Sequence, residues 1–298
     1  MGDRMADRAV KLGGLTLTSL DAGEFRYDGG AMFGAVPKII WEGLVPCDDQ
    51  NRIALSLSPL LIESDSRKIL VDVGFGERHT KRDLKVFGFD PARNVAGALA
   101  RRGLSPDDID TVVLTHLHCD HAAGATRRGA TGLEPAFPNA LYLVNALEWE
   151  DALSPDARSA AAYRPDDFVP LEEAGRVDLV GDVHEVADGV SMIRTGGHTR
   201  GHAMVVVRAD EGTAVYPADL IPIRHHARVP YIAGIDTFPL DMIEQKEKLL
   251  NEAVDGDWIV ILDHDTEGNV GRIVRDDRGR FAFRDIEARG AIEEDPRR

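Results

Sequence analysis

Thr111-Val112-Val113-Leu114-Thr115-His116-Leu117-His118-Cys119-Asp120-His121 is an apolar, β-branched run that ends directly in a cluster of imidazoles and a carboxylate. The apolar part reads as a short buried strand and the polar part as the loop just past its end. On a strand end, residues two apart point the same way, so His116 and His118 can share one metal ion. Asp120 and His121 fall on the next turn and can face a neighbouring ion. Imidazole and carboxylate suit zinc first, with iron, manganese or cobalt as alternatives, so the ligand types alone do not fix the metal. The plain alternative is a polar loop of internally satisfied histidines.

Three later stretches argue against that alternative. Thr195-Gly196-Gly197-His198 places His198 at a strand end amid glycines, which let backbone approach a metal closely. His202, four residues on, reads as a helper or core histidine rather than a ligand. Tyr216-Pro217-Ala218-Asp219 is a strand ending in an acid, with a simple turn residue as the rival reading. Leu262-Asp263-His264-Asp265 puts His264 after an apolar strand, flanked by two acids that suit a turn or a supporting role. Val71 precedes Asp72 in the same way. Polar residues at strand ends are how open α/β sheets gather a site. Cys119 is the alternative nucleophile, but its neighbours are better explained as ligands.

Outward from these motifs, short strands are expected over 53–62, 68–73, 111–115, 140–144, 190–195, 203–208, 213–216 and 258–262, with a hairpin turn at 63–67. Helices are expected over 92–102, 146–153 and 239–254. The last has Pro239 in its first turn, Asp241 and Glu244 near its positive end and Gly256 after it. Residues 271–283 read as a terminal hairpin. No repeat or low-complexity linker divides the chain, so 1–298 reads as a single domain, with 1–10 and 288–298 frayed.

The chain carries 35 Lys+Arg against 51 Asp+Glu, a formal charge of -16. That balance, with no dense basic stripe, argues against a nucleic-acid partner. No apolar run reaches membrane-spanning length and no secretory leader is seen, so the expectation is a protein of the reducing cytoplasm with no membrane partner. Two cysteines, Cys47 and Cys119, cannot make a disulfide framework.

In this order the motifs Val71-Asp72-Val73-Gly74, His116 to His121, Gly197-His198, Asp219 and His264 resemble the metallo-β-lactamase superfamily over nearly the whole chain. The resemblance implies an αβ/βα sandwich of two mixed β-sheets flanked by helices. It also implies two divalent metal ions: His116, His118 and His198 at the first, Asp120, His121 and His264 at the second, with Asp219 between them. Asp72 would support the site from behind. Departures narrow the branch. The β-lactamases of this fold commonly carry Cys where Asp219 stands, and flavo-diiron proteins carry Glu where His118 stands. Neither the glutathione-binding extension of glyoxalase II nor the tRNA-gripping arm of RNase Z is recognisable.

A second likeness concerns substrate. Asp28-Gly29-Gly30-Ala31-Met32-Phe33-Gly34, Val36-Pro37-Lys38 and Trp41 resemble the opening of bacterial quorum-quenching lactonases, as do Ala218 to Pro222, His226, Asp236 and Pro239. This implies opening of the lactone ring of N-acyl-homoserine lactones by a hydroxide held between the metals, with Asp120 carrying a proton to the leaving oxygen, and by analogy a homodimer. Met32, Phe33 and Trp41 would line an acyl pocket or a dimer contact, or else form an apolar loop over the core. Some lactonases carry a Tyr where Pro222 stands, and His226 or Tyr231 are the residues at hand to replace it. Arg200, Arg224 and Arg228 are either pocket residues or surface charge. The rival functions are an organophosphate or aryl ester hydrolase on the same dimetal centre, and a non-hydrolytic iron-binding redox module. All the hydrolase readings take a small neutral ester or lactone.

Overall fold

Two seven-stranded sheets stack face to face in the computed structural model, which describes residues 7–286. The first sheet runs, edge to edge, Arg8–Leu12, Leu15–Ser19, Leu60–Glu63, Lys68–Val71, Thr111–Val113, Leu141–Asn145 and Val177–Val180. Its centre is parallel: Thr111 pairs with both Ile69 and Leu141, so the motif strand is flanked on each side. Such strands are buried on both faces, which is why Thr111–Val113 reads as continuous apolar sequence. The second sheet contains Val183–Ala187, Val190–Arg194, Ala203–Ala209, Gly212–Tyr216, Ile259–Ile261, Val270–Arg275 and Phe281–Asp285. Both sheets are mixed, and helices cover their outer faces.

Three apolar clusters follow from this layering. Leu17, Ile62, Val71, Val113, Val205 and Ile261 fill the space between the sheets. Leu70, Val112, Leu114 and Val144 point the other way, toward the Val95–Arg101 and Ala146–Leu153 helices. The Pro239–Asp255 helix closes the far face by burying Met242, Leu249, Leu250 and Ala253, an i, i+7, i+8, i+11 stripe. Each fully buried side chain of this size contributes about 1.5–3 kcal/mol relative to exposure. No helix among the described residues is long and apolar enough to cross a membrane, and Cys47 and Cys119 are both unpaired.

The expected elements appear with small shifts, except where tertiary context intervenes. The strand expected over 53–62 is two: Arg52–Ser56 pairs with Glu24–Asp28, and Leu60–Glu63 joins the first sheet. The break falls at Pro59, which has no N–H for a ladder. Ser56 N instead donates to His264 O at 3.0 Å. Arg8–Leu12, inside the 1–10 stretch expected to fray, is a strand paired with Leu15–Ser19; residues 1–6 and 287–298, where the rest of the expected fraying falls, lie outside the described residues.

The 29–41 stretch is also settled by packing. Phe33 and Trp41 stack in parallel, ring centroids 5.5 Å apart, and are 0% and 1% exposed. They belong to the core behind the site and are not among the residues lining the cavity above it, so the acyl-pocket expectation for these two is corrected in favour of the apolar loop over the core. Gly29 permits the stack, because a Cβ there would lie 2.4 Å from the Trp41 ring. Replacing Phe33 by Ala is expected to cost roughly 3–5 kcal/mol of unfolding free energy, measured by urea denaturation, with metal content per folded chain retained.

Candidate metal centre

Seven side chains from four strand ends meet at one edge of the sandwich. His116, His118, His198 and Asp219 form one group, and Asp120, His121 and His264 a second, with donor atoms within each group no more than 4.8 Å apart. All seven residues expected from the motifs are therefore brought together. The Thr111–Val113 strand delivers His116 and His118, and the Cys119–Ala122 turn of helix delivers Asp120 and His121. The loops after Val190–Arg194, Gly212–Tyr216 and Ile259–Ile261 deliver His198, Asp219 and His264.

Asp219 joins the groups. Its Oδ2 lies 3.1 Å from His198 Nε2 and 3.9 Å from His116 Nε2. Its Oδ1 lies 3.3 Å from His264 Nε2 and 3.5 Å from His121 Nε2. Ala218, just before it, has φ of 47°, a strained conformation for a residue with a Cβ, so the turn is held by its surroundings. Asp120 Oδ2 is 3.8 Å from both His121 Nε2 and His264 Nε2, on the open side of the second group.

Supporting acceptors aim the imidazoles. Asp72 takes His121 Nδ1 at 2.9 Å and both the backbone N–H and hydroxyl of Thr115. Asp72 itself sits at φ 60°, a region that Asp tolerates better than most residues. Ser56 O accepts from His264 Nδ1 at 2.8 Å. Asp236, which the sequence reading noted without assigning a role, takes His198 Nδ1 at 2.7 Å. With their Nδ1 atoms engaged, these rings turn Nε2 toward Asp219.

Glu148 was not foreseen. It is fully buried on the Ala146–Leu153 helix and accepts from Leu117 N, Tyr163 OH and Thr199 Oγ1 at 2.9, 3.1 and 2.5 Å. It thus ties the His116 loop to the His198 loop. Two glycines make this approach possible. A Cβ on Gly201 would lie 2.2 Å from Glu148 N, and one on Gly197, at φ 84°, would lie 2.7 Å from Met242 Cα. The available signal was a charged residue on the inward face of a short helix. Asp263 also turns inward, 3.3 Å from His121 Nδ1, whereas Asp265 leaves the site to pair with Arg224. His202 packs behind His116 with its Nδ1 against Thr195 Oγ1 at 2.6 Å, and belongs to neither group.

Electrostatics follow from burying these groups together. Burial and the surrounding imidazoles hold His116 and His118 well below the usual imidazole range. Burial also opposes charge on His264, but Asp263 and Asp219 outweigh it and push its pKa up to about 9. Burial would raise Asp219, yet His198 and His121 hold it well below the usual carboxylate range. His116 Nε2 and Asp219 Oδ1 are buried without a hydrogen-bond partner. Buried polar atoms rarely stay orphaned, and imidazole nitrogen with carboxylate oxygen is the donor chemistry that divalent metals take. The residues present fit a pair of cations.

A cavity of about 1190 Å³ opens above the two groups. Phe25, Tyr27, Met32, Leu55 and Phe87 are among its apolar lining residues, and Arg78, Arg82, Arg128, Arg158 and Arg164 also line it. Met32 therefore lines it, as expected. His226 and Tyr231 do not, because they pack against Phe33: His226 is 1% exposed with Nε2 donating to Met32 O at 2.9 Å. Arg200 pairs with Asp151 and Glu150, Arg224 with Asp265 and Asp285, and Arg228 stacks on Tyr231, all away from the cavity. The arginines that do face it were missed, since each lies in a segment without periodicity. Two are matched by acids: Arg78 by Asp167 and Arg164 by Asp83.

Fold, ligand geometry and motif order agree with one family. The chain belongs to the metallo-beta-lactamase superfamily, whose signature matches residues 56–264. Among its curated relatives is the N-acyl homoserine lactonase AttM of Rhizobium radiobacter, 29% identical over 170 residues, which span 55% of this chain and 61% of that one. An N-acyl homoserine lactonase of Bacillus thuringiensis is 26% identical over 221 residues, 70% of this chain and 80% of that one. A probable metal-dependent hydrolase from Staphylococcus aureus superposes with a TM-score of 0.84 at 28% identity, covering 93% of this chain and 99% of its own. AidC, a dizinc quorum-quenching lactonase solved with a product, shares the fold with a TM-score of 0.77 at 18% identity, covering 96% and 99%.

Asp236→Ala should weaken metal affinity by roughly 10–100-fold, read by chelator competition; unchanged affinity would show that Asp236 does not aim His198. A second expectation concerns acid. Burial, then Lys246, pushes the His226 pKa from 6.5 down to about 3. The unfolded chain takes up a proton there at a pH where the folded chain does not, so stability falls as pH drops from 6.5 toward 3. In pH-dependent urea melts, His226→Gln should flatten that slope.

Proposed function

We propose that this chain is a metal-dependent hydrolase that opens the lactone ring of N-acyl homoserine lactones. One observation carries the reading. Asp219 turns one oxygen to each of two histidine groups, and the pair forms the floor of a cavity with apolar lining residues. The lactonase relatives supply the substrate class, and the apolar lining from Phe25 to Phe87 suits an acyl chain.

His116, His118, His198 and Asp219 Oδ2 would hold one cation; Asp120, His121, His264 and Asp219 Oδ1 would hold the other. Imidazole-rich donor sets of this kind favour zinc. Bound, such a pair supplies a Lewis acid for an acyl oxygen and a water acidified toward neutrality. The rest falls to the chain's own groups. Asp120 is the most exposed carboxylate of the cluster, its side chain 22% accessible, so it can take a proton from the attacking water and return it to the leaving alkoxide. Cys119 lines the same cavity, but burial and the Asp120 charge push its thiol up to about 12. It stays protonated at neutral pH and makes a poor nucleophile.

A second reading, an aryl ester or organophosphate hydrolase on the same groups, has one specific support: the Tyr27–Phe87 stack, 6.0 Å between centroids and 9° from parallel, offers a flat surface to an aromatic substituent.

A single experiment separates these readings. The protein is loaded with zinc, and ring opening is followed by proton release on N-acyl homoserine lactones of several chain lengths, beside an aryl ester and a phosphotriester. Lactone turnover that disappears, together with bound metal, in His116→Ala is the expected result. Full activity without metal would sink the metallohydrolase reading. Turnover of the aryl ester or phosphotriester alone would sink only the lactone.

A further inference from the structure

The chain has five tyrosines, and they differ in what their hydroxyls touch. Tyr142 OH accepts from Phe137 N at 2.9 Å and donates to Ala125 O at 3.1 Å. Tyr163 OH donates to Glu148 at 3.1 Å, Tyr216 OH reaches Asp72 at 3.4 Å, and Tyr231 OH lies 3.5 Å from Arg228. The Tyr27 hydroxyl bonds to none of the described residues and is not among the buried unpartnered atoms, so from a partly buried ring in the cavity lining it stays open to the cavity. An accessible phenol on a cavity wall is free to donate to whatever occupies the cavity.

Its position is set by the strand that carries it. Glu24–Asp28 pairs with Arg52–Ser56, with Phe25 opposite Leu55 and Tyr27 opposite Ile53. Residues two apart on a strand share a face. Phe25 sets its ring edge-on to His264, centroids 5.3 Å apart, so the face it shares with Tyr27 looks onto the second group. The Tyr27 ring is then fixed by its stack on Phe87. Burial first, then the charges of Asp120, Cys119 and Asp219, push the phenol up to about 12. At neutral pH the group keeps its hydrogen.

We propose that Tyr27 is a catalytic residue that donates a hydrogen bond to the acyl oxygen of the bound ester or lactone as negative charge develops there. The inference rests on the hydrolase reading above and adds to it an electrophilic group from the protein. In the step, water adds through oxygen to the acyl carbon and gives a proton to Asp120, while the C=O electron pair moves onto the acyl oxygen facing Tyr27. Collapse restores the C=O bond and breaks the bond to the alkoxide, which takes the proton from Asp120. Tyr27 keeps its own proton throughout.

The test compares zinc-loaded wild type with Tyr27→Phe, which preserves the ring and its stack on Phe87. A preorganised donor of this kind predicts roughly a 100-fold fall in kcat, with KM changed by less than about threefold. The loss should appear on whichever substrate the wild type turns over, an acyl homoserine lactone or an aryl ester. A second readout needs no turnover: an alkylboronic acid, which becomes a tetrahedral anion, should bind Tyr27→Phe about tenfold more weakly by calorimetry, one unmade hydrogen bond in size. Metal content and melting temperature should match wild type. A Tyr27→Phe enzyme with kcat within about twofold of wild type and the same boronic acid affinity would overturn the proposal. Failure of the lactone reading would show separately, as wild-type turnover of the aryl ester alone.

Discussion

A carboxylate buried between imidazoles is the constraint on which the rest of this structure depends. Asp219 is 8% exposed and has imidazole nitrogens within 4 Å of both oxygens. Burying such a charge without compensation is prohibitive. In the chain alone, compensation comes from His198, His121 and His264, which are held toward their charged forms. Those same nitrogens are the ones a cation would need deprotonated, so protons and metal compete for one set of atoms. The site is built to be occupied by positive charge in one form or the other.

Holding four loops in register around one carboxylate requires acceptors behind the rings. Three buried acids do most of this: Asp72 behind His121, Asp236 behind His198, and Glu148 between the loops of His116 and His198. Each lies on a different element, so no single segment carries the site's geometry. The glycines at 197 and 201 are the counterpart of this arrangement, since any side chain there would push the Met242 helix or the Glu148 helix outward.

Legibility from sequence tracked how local each feature is. The seven ligand positions were readable because each ends an apolar strand, a pattern confined to about five residues. A buried strand was readable from the unbroken apolar run at 111–114, whereas its parallel pairing with Lys68–Val71 and Leu141–Asn145 joins segments distant in sequence and was not. Apart from Met32, the lining of the cavity was not readable. Phe33 and Trp41 could be pocket lining or a loop over the core as far as the sequence goes, and the choice is made by their own stack and by His226 and Tyr231 packing on Phe33, nearly two hundred residues later in the chain. Glu24–Asp28 gave no clear alternation, so Tyr27 passed unnoticed. The arginines facing the cavity come from segments placed by tertiary contacts, Arg158 by its bonds to Gly234 O and Asp236 O.

The contact between Ser56 and His264 has a consequence for how the chain assembles. Its two partners are 208 residues apart, and Ser56 Oγ reaches Asp263 O across 207. Closing loops of that length carries an entropic cost that must be met before the contact can form, and such pairings are slow. During synthesis six of the seven residues emerge before His264, so the second group lacks only that last imidazole until the final strands are made. The second group is therefore complete only once the final strands have docked against Ser56.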